Sequence, residues 1–390
     1  MTPKIRYIVL IFALLLLSVF SFHTSAQSDL PENFPSITVD VNIAPAEGLL
    51  YLANIRRRNA EDEETGSYLM ALQNDGTPTF WQAAGGGRVF NFGVAVTGER
   101  YFYRITDNGL GSGAAMDGSY WVLDDNGEVV REYHIQGDIT APHEFIMLEN
   151  GNAILISNPV REMDMTAYGG HPEALVVGLM VQEITAEGEV VFEWDAWDVF
   201  DIGDTVAQNM LTAEPPNPVA YIHGNGMTID RDGNWIISLR RFDSLIKIDR
   251  STGDLLWVMG GVQSPLNEFT FINDPMNGFS GQHNPTILPN GNLLLFDNGT
   301  LHEAQQSRAV EYELDQENRT ATLVWSYTDG RYSATMGSAQ RLSNGNTLIG
   351  WGSAPPTGSS VSEVNADGEV VYALSLPPSQ INYRVYRVEP

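Results

Sequence analysis

Residues 221–261 read YIHGNGMTIDRDGNWIISLRRFDSLIKIDRSTGDLLWVMGG. Four apolar segments alternate in this stretch with turns rich in Gly, Asp and Asn, and the Asp-Gly pair before the second segment is a strong hairpin signal. Consecutive strands joined by short turns pair antiparallel. The stretch therefore predicts one sheet of four antiparallel strands.

The rest of the chain repeats this unit. Its first half, an apolar segment followed by a turn ending in Gly-Asn and another apolar segment, occurs at 145–158, 227–240, 286–298 and 340–352. Its second half, two strands around an acidic turn, occurs at 68–82, 121–133, 183–194, 246–258, 312–327 and 362–374. Internal repeats of this size and strand content are typical of propeller blades.

Six copies of the second half predict an all-β fold, a six-bladed β-propeller of four-stranded antiparallel blades; seven blades are the alternative. The terminal strand YRVYRV (383–388) lies beyond the sixth unit, whereas the first unit, from LLYLAN (49–54), is short of an inner strand. We expect the C-terminal strand to complete blade one and so remove an open sheet edge. The propeller is predicted over 43–390, after a lead segment at 27–42.

The N-terminus has the pattern of a secretory signal. Lys4 and Arg6 precede an apolar run at 8–20, and Thr24-Ser25-Ala26 resembles a signal-peptidase site. The apolar run is short for a membrane span. We expect cleavage after Ala26 and a periplasmic or secreted protein, with an uncleaved N-terminal anchor as the alternative.

Composition narrows the classes of function. The chain has 390 residues, 49 acidic against 21 basic side chains, and a formal net charge of −28. Such a chain repels nucleic acid and anionic membranes, so we expect neither as a partner after signal cleavage. The absence of cysteine excludes disulfides, Cys-ligated zinc, iron–sulfur clusters and thiol nucleophiles. An anionic substrate would need a local positive site.

Three histidines share one place in the repeat. His143, His223 and His283 each stand 8 to 10 residues before the glycine of the Gly-Asn turn. They should begin the innermost strands of blades three, four and five, and should therefore converge at one mouth of the central channel. Four further histidines are interpreted as part of the signal or as ordinary loop residues: His23, His134, His171 and His302.

Hairpin spacing adds an arginine and an amide in blade four. His223 and Arg241 lie equally far from the turn at Asp232, which predicts that they are cross-strand neighbours. Because side chains alternate along a strand, only one of Arg240 and Arg241 should face the channel, and Asn225 should share the face of His223.

Two more amides follow from the same spacing. Asn298 should neighbour His283, and Asn158 should approach His143. Imidazoles, a guanidinium and amides suit a tetrahedral oxyanion, with histidine as nucleophile or proton donor. A site of three histidines for a metal such as zinc is the open alternative at this point.

The chain resembles the bacterial arylsulfate sulfotransferase family. The resemblance rests on the stretch at 221–261, on GQHNPTILPNGNLLLFDNG (281–299), on SRAVEYELD (307–315) and on PHEFIMLENGN around His143. It implies a six-bladed propeller that transfers a sulfuryl group from a phenolic sulfate ester to a phenol acceptor, independently of PAPS and without a cofactor or a metal. Well-known members also carry an N-terminal β-sandwich domain.

The resemblance also implies roles for residues. His283 would be the nucleophile that forms a sulfohistidine, with His143, His223 and Arg241 as catalytic partners. Asn225, Asn298 and Arg308 would bind substrate. Two other functions are kept as alternatives, a non-catalytic binding or scaffold propeller and a metal-dependent sulfate-ester hydrolase.

Overall fold

The computed structural model describes residues 30–57, 60, 65–85, 87–107 and 116–390. The predicted signal at 1–26 lies outside these ranges. Within them the chain forms 28 β-strands and five 3-10 helices of three residues each. In the described part of the chain, no helix is long and apolar enough to cross a membrane.

The strands follow one another closely along the chain. In order they are β1 (Thr38–Asn42), β2 (Leu49–Arg56), β3 (Tyr68–Leu72), β4 (Pro78–Ala83), β5 (Val89–Val94), β6 (Arg100–Asp107), β7 (Asp117–Leu123), β8 (Val129–Tyr133), β9 (Phe145–Met147), β10 (Ala153–Ser157), β11 (Val160–Met163), β12 (Ala174–Val177), β13 (Met180–Ile184), β14 (Val190–Asp195), β15 (Gly224–Ile229), β16 (Trp235–Leu239), β17 (Ser244–Ile248), β18 (Leu255–Gly260), β19 (Thr270–Ile272), β20 (His283–Ile287), β21 (Leu293–Asp297), β22 (Arg308–Asp315), β23 (Thr320–Tyr327), β24 (Ser338–Arg341), β25 (Thr347–Gly350), β26 (Val361–Val364), β27 (Val370–Ser375) and β28 (Gln380–Val388). The 3-10 helices are Thr166–Tyr168, Ala196–Asp198, Ile202–Asp204, Gln208–Met210 and Arg240–Phe242.

Six antiparallel sheets form the ring, as predicted. From the channel outward they are β28-β2-β3-β4, β5-β6-β7-β8, β9-β10-β13-β14, β15-β16-β17-β18, β20-β21-β22-β23 and β24-β25-β26-β27. Neighbouring blades meet at their inner strands, for example β15 with β20 and β28 with β5. The five turn glycines of the repeat all have φ between 81° and 84°, a region that glycine enters without strain: Gly76, Gly127, Gly188, Gly253 and Gly368.

Ring closure by the C-terminal strand is confirmed. β28 pairs antiparallel with β2 from Leu49↔Val388 to Arg56↔Gln380 and forms the innermost strand of blade one. The predicted lead segment at 27–42 contains β1, which adds a fifth strand to the outer edge of blade six by pairing with β27. The two ends of the described chain therefore lie in adjacent blades and pair with strands far away in sequence.

The core lies between adjacent blades, because side chains alternate between the two faces of each sheet. In β16, Ile237 packs toward blade three with Ile156, whereas its neighbour Ile236 packs toward blade five with Leu295. All four side chains are fully buried. Burying an Ile or Leu side chain stabilises a fold by about 1.5–3 kcal/mol, so these inter-blade layers hold the ring together.

Candidate active site

A cavity of about 930 Å³ opens at the mouth of the channel where the inner strands of blades three to five begin. Its wall brings together all three recurring histidines, both adjacent arginines and a tyrosine of the closing strand: His143, His223, His283, Arg240, Arg241 and Tyr383. The inner strands converge at this rim, so residues far apart in sequence meet here.

His283 is held in one tautomer. Its Nδ1 lies 2.6 Å from the Asn298 side-chain oxygen and 3.0 Å from the Gly281 carbonyl oxygen, and both of these atoms can only accept. Nδ1 therefore carries the proton, which leaves the lone pair on Nε2. Nε2 accepts a hydrogen bond from the backbone N–H of Met336 at 3.1 Å. Burial, followed by the charge of Arg240, lowers the pKa of His283 well below its ordinary value, so the ring is neutral near pH 7.

Two buried carboxylates position the segment before His283. Asp243 accepts from the N–H of Gly281 at 2.7 Å, and Asp297 accepts from the N–H of Ser280 at 2.9 Å. Burial raises the pKa of Asp243 to about 6. These contacts fix the Gly281 carbonyl that accepts from His283, so the orientation of the imidazole is set by strands of two blades.

His143 and His223 lie against each other in the cavity wall. Their ring centroids are 4.5 Å apart at an interplanar angle of 82°, an edge-to-face contact. His143 Nδ1 is hydrogen-bonded to the Tyr383 hydroxyl at 2.8 Å. Burial and then the neighbouring His143 lower the pKa of His223 well below its ordinary value, and Arg240 and Arg241 lower it further.

The arginine pair departs from the predicted geometry in two ways. The backbone N–H of Arg240, not of Arg241, donates to the carbonyl of His223, at 2.8 Å, so the register is shifted by one residue. Arg240 and Arg241 also lie in the 3-10 helix Arg240–Phe242 rather than in a strand, so strand alternation does not apply and both line the cavity. The prediction that only one of them faces the channel is wrong.

Both guanidinium groups are available to an anion. Arg240 donates to the carbonyl of Ala334 at 2.9 Å, but neither its Nε nor that of Arg241 finds an acceptor among the described residues. Burial, with the charge of Arg241 added, lowers the pKa of Arg240 to about 10, and burial also lowers the pKa of Arg241. Two desolvated, adjacent cations with unused donors favour a bound anion.

A bulge changes the position of Asn225. The β15–β16 register shifts between Gly224 and Gly226, which removes Asn225 from the alternation that was expected to place it beside His223. Its amide is fully buried and donates to the carbonyl of Gln282 at 2.7 Å, and it does not line the cavity. Asn225 thus ties blade four to the residue before His283 rather than facing a substrate.

Arg308 also lies outside the cavity. Its guanidinium is paired with Asp274 at 2.9 Å and with Asp297 at 2.8 Å, and it donates to the Gly278 carbonyl at 2.7 Å. The two carboxylates neutralise it inside blade five. This position corrects the prediction that Arg308 binds substrate.

The amides predicted beside the histidines have different surroundings. Asn298 contacts His283 as expected, but its Nδ2 donates to the carbonyls of Ser333 and Met336, so it binds protein on both sides. Asn158 is fully buried and is not part of the cavity wall. Asn298 therefore orients the imidazole, a role different from the substrate binding expected of it.

The closing strand supplies residues that sequence reasoning missed. Tyr383 lies in β28 beside Arg384, whose guanidinium pairs with Glu144 at 2.8 Å and donates to the carbonyl of His143 at 2.7 Å. Arg384 is buried and links β28 of blade one to the residues that precede β9 of blade three. The predicted closure by the C-terminal strand could have indicated these residues, because an innermost strand must present side chains to the channel.

The rest of the wall suits an aromatic anion. Apolar and thioether side chains line one part of it: Ile55, Phe90, Met116, Met210, Met336 and Ile381. Arg56 and Arg88 line it as well, and no Asp or Glu occurs among the described residues of the wall. In a chain with 49 acidic residues, this distribution makes the cavity locally positive.

The three-histidine metal site has no matching geometry. Among the described residues, no group of three or more His, Asp or Glu side chains is arranged to hold a metal ion. The Nδ1 atoms of His143 and His283 are already engaged by Tyr383 and Asn298. Nε2 of His283, the nitrogen left to bind a metal, accepts instead from the backbone N–H of Met336 at 3.1 Å.

Comparison with known proteins identifies the family of this chain. The arylsulfate sulfotransferases AssT of Escherichia coli O6:H1 and of Lelliottia amnigena are each 24% identical to this chain over 74% of its length, and the chain spans 60% of theirs. A crystal structure of a protein of unknown function from Bacteroides caccae has a TM-score of 0.52 at 12% identity, covering 87% of this chain and 98% of that one, and shows the fold alone. The arylsulfotransferase (ASST) family model matches residues 90–387, which include all three cavity histidines, and the chain belongs to this family.

Proposed function

We propose that this protein is an exported arylsulfate sulfotransferase, which moves a sulfuryl group from a phenolic sulfate ester to a phenol through a sulfohistidine at His283. The state of His283 carries the proposal: the imidazole is neutral, its Nδ1–H is held by Asn298, and it lies in a cavity with two available arginines. Family membership and the names of the AssT relatives support the substrate class.

The first half-reaction forms the covalent intermediate. The Nε2 lone pair of His283 attacks sulfur, the S–O bond to the aryl group breaks, and its electron pair leaves on the phenolate oxygen. An imidazolium at His223 gives that oxygen a proton. Burial, then the neighbouring His143 and the two arginines, lower the pKa of His223, and the negative charge of a bound ester acts in the opposite direction, so substrate binding favours the protonated form.

The second half-reaction reverses these roles. A phenol acceptor gives its proton to neutral His223, its oxygen attacks sulfur, and the N–S bond breaks with its electron pair returning to Nε2 of His283. His143 lies against His223 and is held by Tyr383, so it keeps the proton-transfer ring in place. The first phenol leaves before the second one binds, which makes the kinetics ping-pong.

The arginines and the apolar wall bind different parts of the substrate. Arg240 and Arg241 hold charge on the sulfuryl oxygens, most strongly when it builds up in the transition state. Phe90, Met116 and Met210 contact the aryl ring, since aromatic and thioether side chains pack well on aromatic faces. Donor and acceptor phenols occupy the same apolar wall in turn.

The mass of the intact protein tests the proposal. After brief exposure to 4-nitrophenyl sulfate without an acceptor and a quench at alkaline pH, we expect an adduct of about 80 Da on the peptide that contains His283. Added phenol should discharge it. A protein that gains no mass, or an adduct mapped to His143 or His223, would contradict the assignment.

Two histidine variants provide the comparison. His283→Asn should show no adduct and roughly a thousandfold or greater loss of turnover, as is typical when a covalent nucleophile is removed. His134→Asn makes the same chemical change at an exposed ring outside the cavity and should keep both adduct and turnover. Equal turnover in the two variants would refute the role of His283.

A further inference from the structure

The backbone N–H of Met336 occupies the lone pair that must react. It donates to Nε2 of His283 at 3.1 Å, while the other ring nitrogen is held by Asn298. A donor bound to Nε2 lies along the direction of its lone pair. A sulfur atom approaching Nε2 needs the same space, so this hydrogen bond must break before bond formation begins.

The segment that carries this N–H is fastened by residues of the site itself. The amide nitrogen of Asn298 donates to the carbonyls of Ser333 and Met336, at 2.8 and 2.9 Å. Arg240 donates to the carbonyl of Ala334 at 2.9 Å. The segment 333–336 is therefore held from one side by the residue that orients the nucleophile and from the other by an anion-binding arginine.

The backbone here adopts an unusual conformation. Met336 has φ 64° and Gly337 has φ 108°, and the first of these is a left-handed conformation that a side chain other than glycine rarely adopts. A Cβ at Gly337 would lie 2.4 Å from the ring of Phe296, so only glycine fits there. Such a conformation persists only when the surrounding contacts hold it, so a change in those contacts can release it.

We propose that the Met336 N–H is a further catalytic group of this enzyme, which caps Nε2 in the free protein and donates to a sulfuryl oxygen once an anion is bound. A charged oxygen is a stronger acceptor for Arg240 than the Ala334 carbonyl that now occupies it. Exchange of that partner loosens the segment 333–336. The freed N–H then lies next to the oxygens on the sulfur atom that Nε2 attacks from the same side.

The role of the Met336 N–H as a cap on Nε2 is independent of sulfuryl transfer, whereas its donation to a sulfuryl oxygen rests on the proposed function. A cap also protects the enzyme, because a neutral buried imidazole with an open lone pair reacts with any small electrophile that enters. Coupling the cap to Arg240 restricts the reactive state to complexes with an anion.

Diethyl pyrocarbonate tests the cap, since it acylates neutral imidazole nitrogen. Ser353 lies outside the cavity, and its hydroxyl accepts from the N–H of Thr335 and donates to the carbonyl of the same residue. Ser353→Ala removes both hydrogen bonds, so it should loosen the segment and raise the rate of acylation at His283 by about fivefold or more, about fivefold being the factor expected for the loss of one hydrogen bond. Ser360→Ala, a serine of the same blade whose hydroxyl accepts from Leu376, is the matched control and should react like the unaltered protein.

Peptide mapping separates acylation at His283 from that at other histidines, and thermal melting confirms that both variants are folded. Equal rates at His283 in the two variants would overturn the cap. A faster rate in Ser353→Ala with no sulfuryl adduct from any aryl sulfate would uphold the cap while refuting the proposed function.

Crystals of the unaltered protein with inorganic sulfate test the exchange. With sulfate on Arg240, we expect the distance from the Met336 nitrogen to Nε2 to exceed 3.5 Å, beyond hydrogen-bond range. We also expect that nitrogen to lie within about 3 Å of a sulfate oxygen. A sulfate bound at Arg240 with the Met336–His283 hydrogen bond intact would overturn the second half of the inference.

Discussion

Replacing Asn298 tests the hydrogen bond that orients His283, the proposed nucleophile. Its side-chain oxygen accepts from Nδ1 of His283 at 2.6 Å, and Asn298 is fully buried outside the cavity wall. In the proposed mechanism, positive charge develops on the imidazole as Nε2 gives its lone pair to sulfur. The hydrogen bond is therefore stronger in the transition state than in the free enzyme, which is the condition for a catalytic effect.

The structure sets the size of this effect. A hydrogen bond to a charged group contributes about 1.5–3 kcal/mol, so Asn298→Ala should lower kcat/KM for the sulfate donor by about 10- to 150-fold. The loss should not be greater, because the Gly281 carbonyl at 3.0 Å still keeps the proton on Nδ1. His283 thus retains its tautomer and loses its shortest hydrogen bond, and the variant also loses the hydrogen bonds from Asn298 Nδ2 to the carbonyls of Ser333 and Met336.

The pH profile distinguishes orientation from general damage. Since the proposed mechanism requires a neutral His283, we expect activity above the pKa of His283 and a loss of activity as the pH falls through it. The Asn298 hydrogen bond raises that pKa, so Asn298→Ala should move the acid limb to lower pH. Asn298→Asp places a carboxylate against Nδ1 and should move the limb to higher pH.

Steady-state kinetics with 4-nitrophenyl sulfate and phenol between pH 5 and 9 measure both effects. The Asp variant keeps the acceptor for Nδ1 and should exceed the Ala variant at alkaline pH. If Asn298→Ala stays within twofold of the unaltered enzyme, or if the Ala and Asp variants share one acid limb, this account of His283 is refuted.

Three further predictions concern charge. Arg241→Gln should raise KM for the donor and weaken inhibition by inorganic sulfate, while the melting temperature stays nearly unchanged. Arg308→Leu should instead lower the free energy of unfolding by about 3–5 kcal/mol, because it leaves Asp274 and Asp297 buried without their cation. Kinetics and urea unfolding of both variants check these two predictions, and a selective rise of KM in Arg308→Leu would contradict the second. The pKa of His283 lies below its unfolded value, so its contribution to stability is present above about pH 6.5 and is lost as the pH falls toward the folded pKa. Urea unfolding at pH 7.5 and 5 should therefore show a smaller loss for His283→Asn than for the unaltered protein, and identical losses would count against a neutral buried ring.

The blades could be predicted because their signals are local. Each turn glycine must adopt a positive φ within a hairpin of about a dozen residues, and this requirement is visible in the sequence. Closure by β28 also followed, since an unmatched alternating strand at one end and a short first blade at the other imply each other. The shared place of His143, His223 and His283 in the repeat predicted their meeting, because equal positions in successive blades reach the same rim.

Errors arose where the backbone leaves the regular strand. Alternation assumes two residues per repeat, but the bulge at Asn225 and the 3-10 turn at Arg240 and Arg241 break that period. A bulge adds one residue to one strand, so every position beyond it changes face relative to its partner. The register therefore paired His223 with Arg240, and both arginines reached the cavity.

The sequence by itself determined the strands, the number of blades, the closure and the set of histidines, since these depend on turns and periodicity within short stretches. Only the tertiary structure decided which polar groups remain available. Arg308 is neutralised by Asp274, 34 residues away, while Met336 and Tyr383 contact His283 and His143 across 53 and 240 residues. Hydrogen bonds between blades depend on how the ring closes, and no local sequence pattern encodes which distant residues they join.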